Sequence, residues 1–458
     1  MYWPMEAITR RLAGSPRTRA ERPAPGAELE LEVDALAFGG RGIARANGYV
    51  VFVAGALPGD RVRARISKAK RNHAEAAAVE LLRPSADRLP DTCTHEGEPC
   101  PGASWQGLPY ELQLEHKHAQ VGDALRRIGR LDDFELEPIE PSVERWRYRN
   151  KLEYSFGENG DRLVLGFHRR GSWHEVVDVE DCHLASAASN AARNEIRGWA
   201  ASEGIPAFDP REREGVLRNL VVRDSQRTGR VQTRLCTSAA EFSRPPVDLH
   251  TVIEGPGSGT DGPTGALGEE YLVEELGGLR FRVSPGAFLQ TNTATAERLY
   301  GVAEAYAGLS GRERVFDLYC GIGTIALSLA REAGEVWGLE SVPEAIADAE
   351  HNARQNEIAN VSFVAAEARL GVRPLLERAG KPDVVVVDPP RAGLSKKVVR
   401  RLLECEASRV VYVSCNPTTL APNAAQLTES GYALRRVRPV DMFPQTPHVE
   451  CVALFERG

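Results

Sequence analysis

The chain has 458 residues, 42% hydrophobic and 26% charged, with a formal net charge of −7. That length suits about three domains, and the acidic balance excludes a uniformly basic nucleic-acid binder, so any such role must rest on local patches. No run of about 18 apolar residues occurs, which excludes a helical membrane span, and nothing in the composition calls for an obligate protein partner.

Residues 1–22 are rich in Arg, Ala and Pro and have no apolar segment, so they read as a disordered arm and not as a secretory signal. Eight cysteines without regular paired spacing fit a reducing, cytoplasmic setting with thiol or metal roles.

Residues 23–84 alternate in short strands, ELELEV, YVVFVAGAL, DRVRARI and HAEAAAVELL, separated by GGRGIARANG, LPGD and KAKRN. Such a pattern predicts a small β-barrel. Arg61, Arg63 and Arg65 fall on one strand face, either tracking a phosphate backbone or guarding a solvated edge; Lys68, Lys70 and Arg71 extend the basic stretch. The run Gly40-Arg41-Gly42-Ile43-Ala44-Arg45, then Gly48 to Val53 and Ala56 to Asp60, resembles the TRAM domain, an OB-like RNA-binding barrel. That resemblance implies an RNA partner.

Residues 85–280 read as a central α+β domain. Cys93 and Cys100 lie in a Gly/Pro loop followed by a predicted helix through QLEHKHAQVGDALRRIG, and Cys182 comes much later. Three such thiols suit either a metal or iron–sulfur site or separate free cysteines. RWRYRNK, residues 145–151, interleaves cations with Trp146 and Tyr148; the rings either stack an unpaired nucleotide or turn inward. From Glu254 the stretch EGPGSGTDGPTGALGE reads as a flexible connection.

Residues 281–458 alternate strands with helices, predicting a doubly wound, largely parallel α/β sheet of the Rossmann type. Asp317, Tyr319, Cys320, Gly321, Gly323 and Thr324 form the first strand-to-helix turn, and Glu340 ends the next strand, where it can accept both ribose hydroxyl protons. The glycines do not repeat as GxGxxG, which favours S-adenosylmethionine over a dinucleotide. Three further strand ends carry Asp388, Cys415 and Glu450. A thiol and a carboxylate suit covalent chemistry on a pyrimidine. Addition of the Cys415 sulfur at carbon 6 makes carbon 5 nucleophilic, and Glu450 can then take the carbon 5 proton.

These residues, with Phe288-Leu-Gln290-Thr-Asn292, Asp388-Pro-Pro-Arg391, Ser414 to Pro417 and Pro447-His-Val-Glu450, closely resemble the S-adenosylmethionine-dependent uracil-5 RNA methyltransferases. The resemblance covers nearly the whole chain. It implies that Gln290, Tyr319, Glu340 and Asp388 contact the cofactor, with Thr324 and Glu367 as further candidates. It also implies that Cys415 is the nucleophile and Glu450 the base, acting on 23S ribosomal RNA or on transfer RNA. Cys93, Cys100 and Cys182 match cluster ligands of that family, but Ala103 stands where the remaining cysteine belongs. A four-cysteine cluster is therefore excluded, which leaves an iron–sulfur cluster with one non-cysteine ligand, or no cluster, as the open alternatives. A cytosine-5 enzyme would carry a second cysteine at Asp388 to Arg391, and an amino-group methyltransferase an aromatic ring in place of Arg391. A non-catalytic RNA-binding protein would lack Cys415 or Glu450.

Overall fold

The computed structural model describes residues 22–95, 98–169, 171–238, 243, 249–253, 265–267 and 271–458. The expected arm, residues 1–22, lies outside the described residues apart from Arg22, as does most of the glycine-rich stretch from Glu254; within that stretch Gly265–Leu267 is a strand and not a loose connection. No helix among the described residues is long and apolar enough to cross a membrane.

The N-terminal unit is a closed barrel in the order β1-β2-β3-β5-β4. Its strands are β1 (Glu28–Leu36), β2 (Gly42–Ala46), β3 (Tyr49–Ala54), β4 (Arg61–Ala69) and β5 (His73–Arg83). Alternation turns Leu31, Val33, Val51, Val53, Val62, Ala64 and Ile66 into one core. The stretch GIARA, read as part of a connection, is a strand because it completes the ladder between β1 and β3.

On the outer face Glu28, Glu30 and Glu32 of β1 lie opposite Arg65, Arg63 and Arg61 of β4. Arg61 reaches Glu30 at 2.8 Å, Arg65 reaches Glu28 at 2.8 Å, and Arg63 pairs with Glu80. The basic stripe is thus answered by an acidic one, and charge pairing across the ladder favours the solvated, charge-guarded face over the phosphate track.

The central seven-stranded sheet is built on the antiparallel strands Lys151–Asn159 and Leu217–Ser225, backed by the helix Ala187–Ser202. In RWRYRNK the rings turn inward. Tyr148 is buried and donates to the Pro444 carbonyl at 3.0 Å, and Trp146 packs beside Cys93 and Cys100. Of the cations, Arg145 faces Glu111 and Arg147 faces Asp181.

The C-terminal sheet has eight strands. Five are parallel, in spatial order Val361–Ala365, Glu335–Glu340, Arg314–Leu318, Val384–Val387 and Arg409–Ser414. Glu450–Arg457 then runs antiparallel beside the last of these, followed by Tyr432–Val440. The eighth strand is Glu135–Leu136, from the segment expected in the central domain. The preceding helix α1 (Tyr110–Arg127) buries Val121 and Leu125 in the same core. Likewise the hairpin Leu272–Leu276/Leu279–Val283 straddles residue 281 and packs Leu272, Leu276, Phe281 and Val283 into the C-terminal core. Apolar burial, not chain order, decides to which unit these segments belong.

Candidate active site

Chain order reverses between the strands Arg314–Leu318 and Val384–Val387, since the first leads outward to one edge and the second starts the other half. Open α/β sheets bind ligands at the carboxyl ends of strands flanking such a point. Asp317 lies near the end of the first of these strands and Asp388 follows the second.

Asp317 is fully buried, and neither of its carboxyl oxygens has a hydrogen-bond partner. Burial first, then the charges of Asp388 and Glu340, push its carboxyl up to about 8. Burial pushes Asp388 up to about 6, opposed by Gln290, whose amide nitrogen lies 3.5 Å from its carboxylate. Tyr319 turns the chain out of the strand at a φ of 127°, a conformation costly for a side chain with a Cβ. Gly321 follows at a φ of 54°, with open space where its Cβ would stand, so a ligand can approach the backbone there. Glu340 accepts from the Gly321 and Val342 amides at 3.3 and 3.0 Å, which fixes its carboxylate beside this turn. Thr324 opens the helix Thr324–Ala330 and receives the Tyr300 hydroxyl at 3.3 Å. Glu367 follows the strand beside Glu340, where the Ala366 amide donates to the Glu340 carbonyl at 2.8 Å; it is exposed and paired with Arg369.

A buried carboxyl without a partner, Asp317, raised by burial and by the neighbouring Asp388 and Glu340 charges, favours a cationic guest. A nucleoside carrying a sulfonium and an ammonium group has that character, and Glu340 remains available to its ribose.

Gln290 owes its position to Asn150. The Asn150 amide donates to the Gln290 carbonyl at 3.0 Å and to Thr293 at 2.9 Å. Two residues on, Asn292 caps the helix Thr293–Ala307 and donates to the Met442 carbonyl at 3.0 Å. Asn150 went unnoticed in the sequence because its partner is 140 residues away.

Seven of the eight cysteines are buried; Cys415 is partly exposed. Its loop is pinned through Asn416 and Thr419, which donate to the Arg391 carbonyl at 3.2 and 3.1 Å. Asn416 also caps the helix Pro417–Glu429. Burial, then the charges of Glu450 and Asp388, push the Cys415 thiol up to about 12, and the Arg391 guanidinium acts in the opposite sense. Glu450 is 2% exposed, and its Oε2 has no partner. Burial and Asp388 hold its carboxyl well above the usual range, again opposed by Arg391.

The loop before Glu450 is held from the N-terminal half. Lys117 and Asp441 form an ion pair with both side chains at 0% exposure, and Lys117 also donates to the Phe443 carbonyl at 3.0 Å. Gln113 and Gln445 exchange two hydrogen bonds of 2.9 Å, and the Trp105 amide donates to the Gln445 carbonyl at 2.9 Å. Gln445 itself has a φ of 67°. In the barrel, Gly40 lies so close to Pro447 that a Cβ would stand 2.9 Å from that ring.

Residues 266–458 match the model of the tRNA (Uracil-5-)-methyltransferase family and residues 24–79 that of the TRAM domain. An uncharacterized RNA methyltransferase of Halalkalibacterium halodurans is 35% identical, over 93% of this chain and 96% of that protein. One from Bacteroides thetaiotaomicron is 39% identical, over 92% of this chain and 100% of that protein. Among solved structures, the tRNA (uracil-54, C5)-methyltransferase of Pyrococcus abyssi, in complex with S-adenosyl-L-homocysteine, aligns with a TM-score of 0.77. It is 26% identical and covers 93% of this chain and 99% of its own.

Proposed function

The chain belongs to the RNA (uracil-5-)-methyltransferase family and uses S-adenosylmethionine, and on that premise we propose that it methylates carbon 5 of a uridine through a covalent adduct on Cys415. One observation carries this reading. The partly exposed cysteine is coupled to a buried carboxyl, Glu450, that has an oxygen with no partner.

S-adenosylmethionine, when bound, supplies an electrophilic methyl group on a positively charged sulfur. Asp317, Asp388 and Gln290 would hold its charged portion and Glu340 its ribose, with Tyr319 and Thr324 on the adjoining turn. The protein's own steps begin with release of the Cys415 proton to solvent water, favoured by the Arg391 guanidinium. The sulfur then bonds to carbon 6 of uracil, and the displaced π pair makes carbon 5 an enolate carbon able to take the methyl group. Glu450 removes the carbon 5 proton, and the pair left behind expels the sulfur, restoring the ring double bond and the thiolate. Arg391 also lowers Glu450, so one cation favours the ionised form of both reacting groups.

The favoured substrate is ribosomal RNA, as the resemblance to barrel-bearing 23S enzymes implies, with transfer RNA, named for the Pyrococcus abyssi neighbour, as the alternative. With the barrel arginines paired, the RNA surface extends to a groove of about 570 Å³ on the central sheet, where Trp173 is 62% exposed beneath Arg211 and Phe208 lies beneath Arg218. Aromatic faces under guanidinium groups suit unpaired bases.

The test is methyl transfer from labelled S-adenosylmethionine to ribosomal and transfer RNA, with 5-methyluridine mapped by mass spectrometry. Cys415→Ala should abolish transfer. Equal transfer by the variant would end the covalent reading, and labelling confined to transfer RNA would reassign the substrate.

A further inference from the structure

The four-cysteine cluster of the resembled family does not fit this chain. Ala103 is fully buried, with its methyl group packed against Cys93 and Cys100, so no fourth sulfur can enter there. Instead His95 turns its ring to the site, its Nε2 3.3 Å from the Cys93 sulfur. Cys93 Sγ, His95 Nε2 and Cys100 Sγ all lie within 4.8 Å of one another.

That spacing discriminates between kinds of metal centre. A single tetrahedral ion with bonds of about 2.0–2.3 Å sets its donors roughly 3.3–3.8 Å apart. A four-iron cluster puts each thiolate on a different iron and must hold them farther apart, around its whole inorganic core. Soft sulfur with one imidazole is also the donor set of structural zinc. Cys182 is not among the donors that lie within 4.8 Å of one another; it is buried, and Trp146 packs both against the core that holds it and against Cys93 and Cys100. The Cys182 backbone is fixed by Asn190, which accepts from its amide at 2.9 Å and donates to its carbonyl at 3.1 Å.

We propose that Cys93, His95 and Cys100, closed by Cys182, bind one tetrahedral divalent cation of the zinc type, and that this chain carries no four-iron cluster. The ion joins Cys93, His95 and Cys100 to the turn at Cys182. It also braces the catalytic loop. Cys93 exchanges hydrogen bonds of 2.7 and 2.8 Å with Gln106, and the neighbouring Trp105 holds the Gln445 carbonyl.

The full-length protein, purified without oxygen, should contain about one zinc per chain and no acid-labile sulfide. Iron and sulfide at about four each per chain would overturn the proposal. So would a protein that retains no metal after incubation with zinc and removal of the excess. The metal-stripped chain titrated with Co²⁺ should develop thiolate-to-cobalt charge-transfer bands and tetrahedral d–d bands that saturate at one equivalent. His95→Ala lies at the partly exposed rim, where folding is least at risk. It should weaken Co²⁺ binding by at least the ~10–100-fold typical of losing a ligand's supporting contact, and Cys182→Ser should shift the d–d envelope. Titrations of both variants superimposing on the wild type would overturn the ligand set.

Discussion

Glu450 helps to keep the proton on Cys415. The residues flanking them, Ser414 and Cys451, are register partners on adjacent antiparallel strands, and the Glu450 charge is the largest contribution after burial to the raised thiol. Burial disfavours the charged form of both groups, so the site holds protons until a cation or a substrate intervenes.

Glu450→Gln removes the base while leaving the nucleophile. Addition and methylation should proceed, but release of product should slow by about 10²–10⁴-fold. A protein–RNA complex should then survive on a denaturing gel. Normal turnover with no such complex would remove Glu450 from the mechanism.

The buried carboxyls predict how cofactor binding depends on pH. Asp388 and Asp317 titrate at about 6 and about 8 in the folded protein, and a cation binds their ionised forms. Affinity for S-adenosylmethionine should therefore rise with pH through that window, measured by calorimetry. Stability of the free protein runs the other way. The folded carboxyl of Asp317 binds its proton more tightly than the unfolded one, so its contribution is complete below about 4 and is lost as pH rises through about 8. Asp317→Asn should flatten the fall of Tm between about pH 4 and about 8.

Lys117→Met leaves Asp441 charged and buried without its partner. The expected cost is about 3–5 kcal/mol, read as a lower urea midpoint. Lys117→Met combined with Asp441→Leu should recover a large part of that loss, since an apolar pair leaves no uncompensated charge.

Gly40→Val forces a side chain against Pro447 at a position with a φ of 86°. The barrel should shift against the catalytic loop, raising the KM for RNA about tenfold while leaving S-adenosylmethionine binding unchanged. Equal loss of both would mean that the contact serves general stability.

On the central groove, Trp173→Ala should weaken RNA binding by about 1–3 kcal/mol. Arg63→Gln, which removes one half of an exposed ion pair, should leave the slope of binding against salt unchanged. A slope reduced by about one unit would return the barrel strand to the phosphate contacts.

What the sequence disclosed is what is local. The Asp317–Thr324 turn, Glu340 and the cysteine loop each announce themselves by a strand ending in an unusual polar or glycine-rich turn. The barrel arginines allowed two readings because the acids answering them sit on different strands. The same distance hid Lys117–Asp441 and Asn150–Gln290, separated by 324 and 140 residues. His95 escaped notice because attention to sulfur spacing passes over an imidazole two residues from Cys93. Periodicity reports which face is apolar but not which core receives it, and so α1 and Glu135–Leu136 were assigned to the wrong neighbour.

The strand Glu135–Leu136 pairs with Val437, a residue made some three hundred positions later. During synthesis α1 and this strand therefore emerge well before the sheet whose edge they cover exists. They must wait, with Val121 and Leu125 unburied, until nearly the whole chain has left the ribosome. Order of manufacture and order of assembly are reversed for the piece that also delivers Lys117 to the catalytic loop, so the active site is among the last features of the molecule to form.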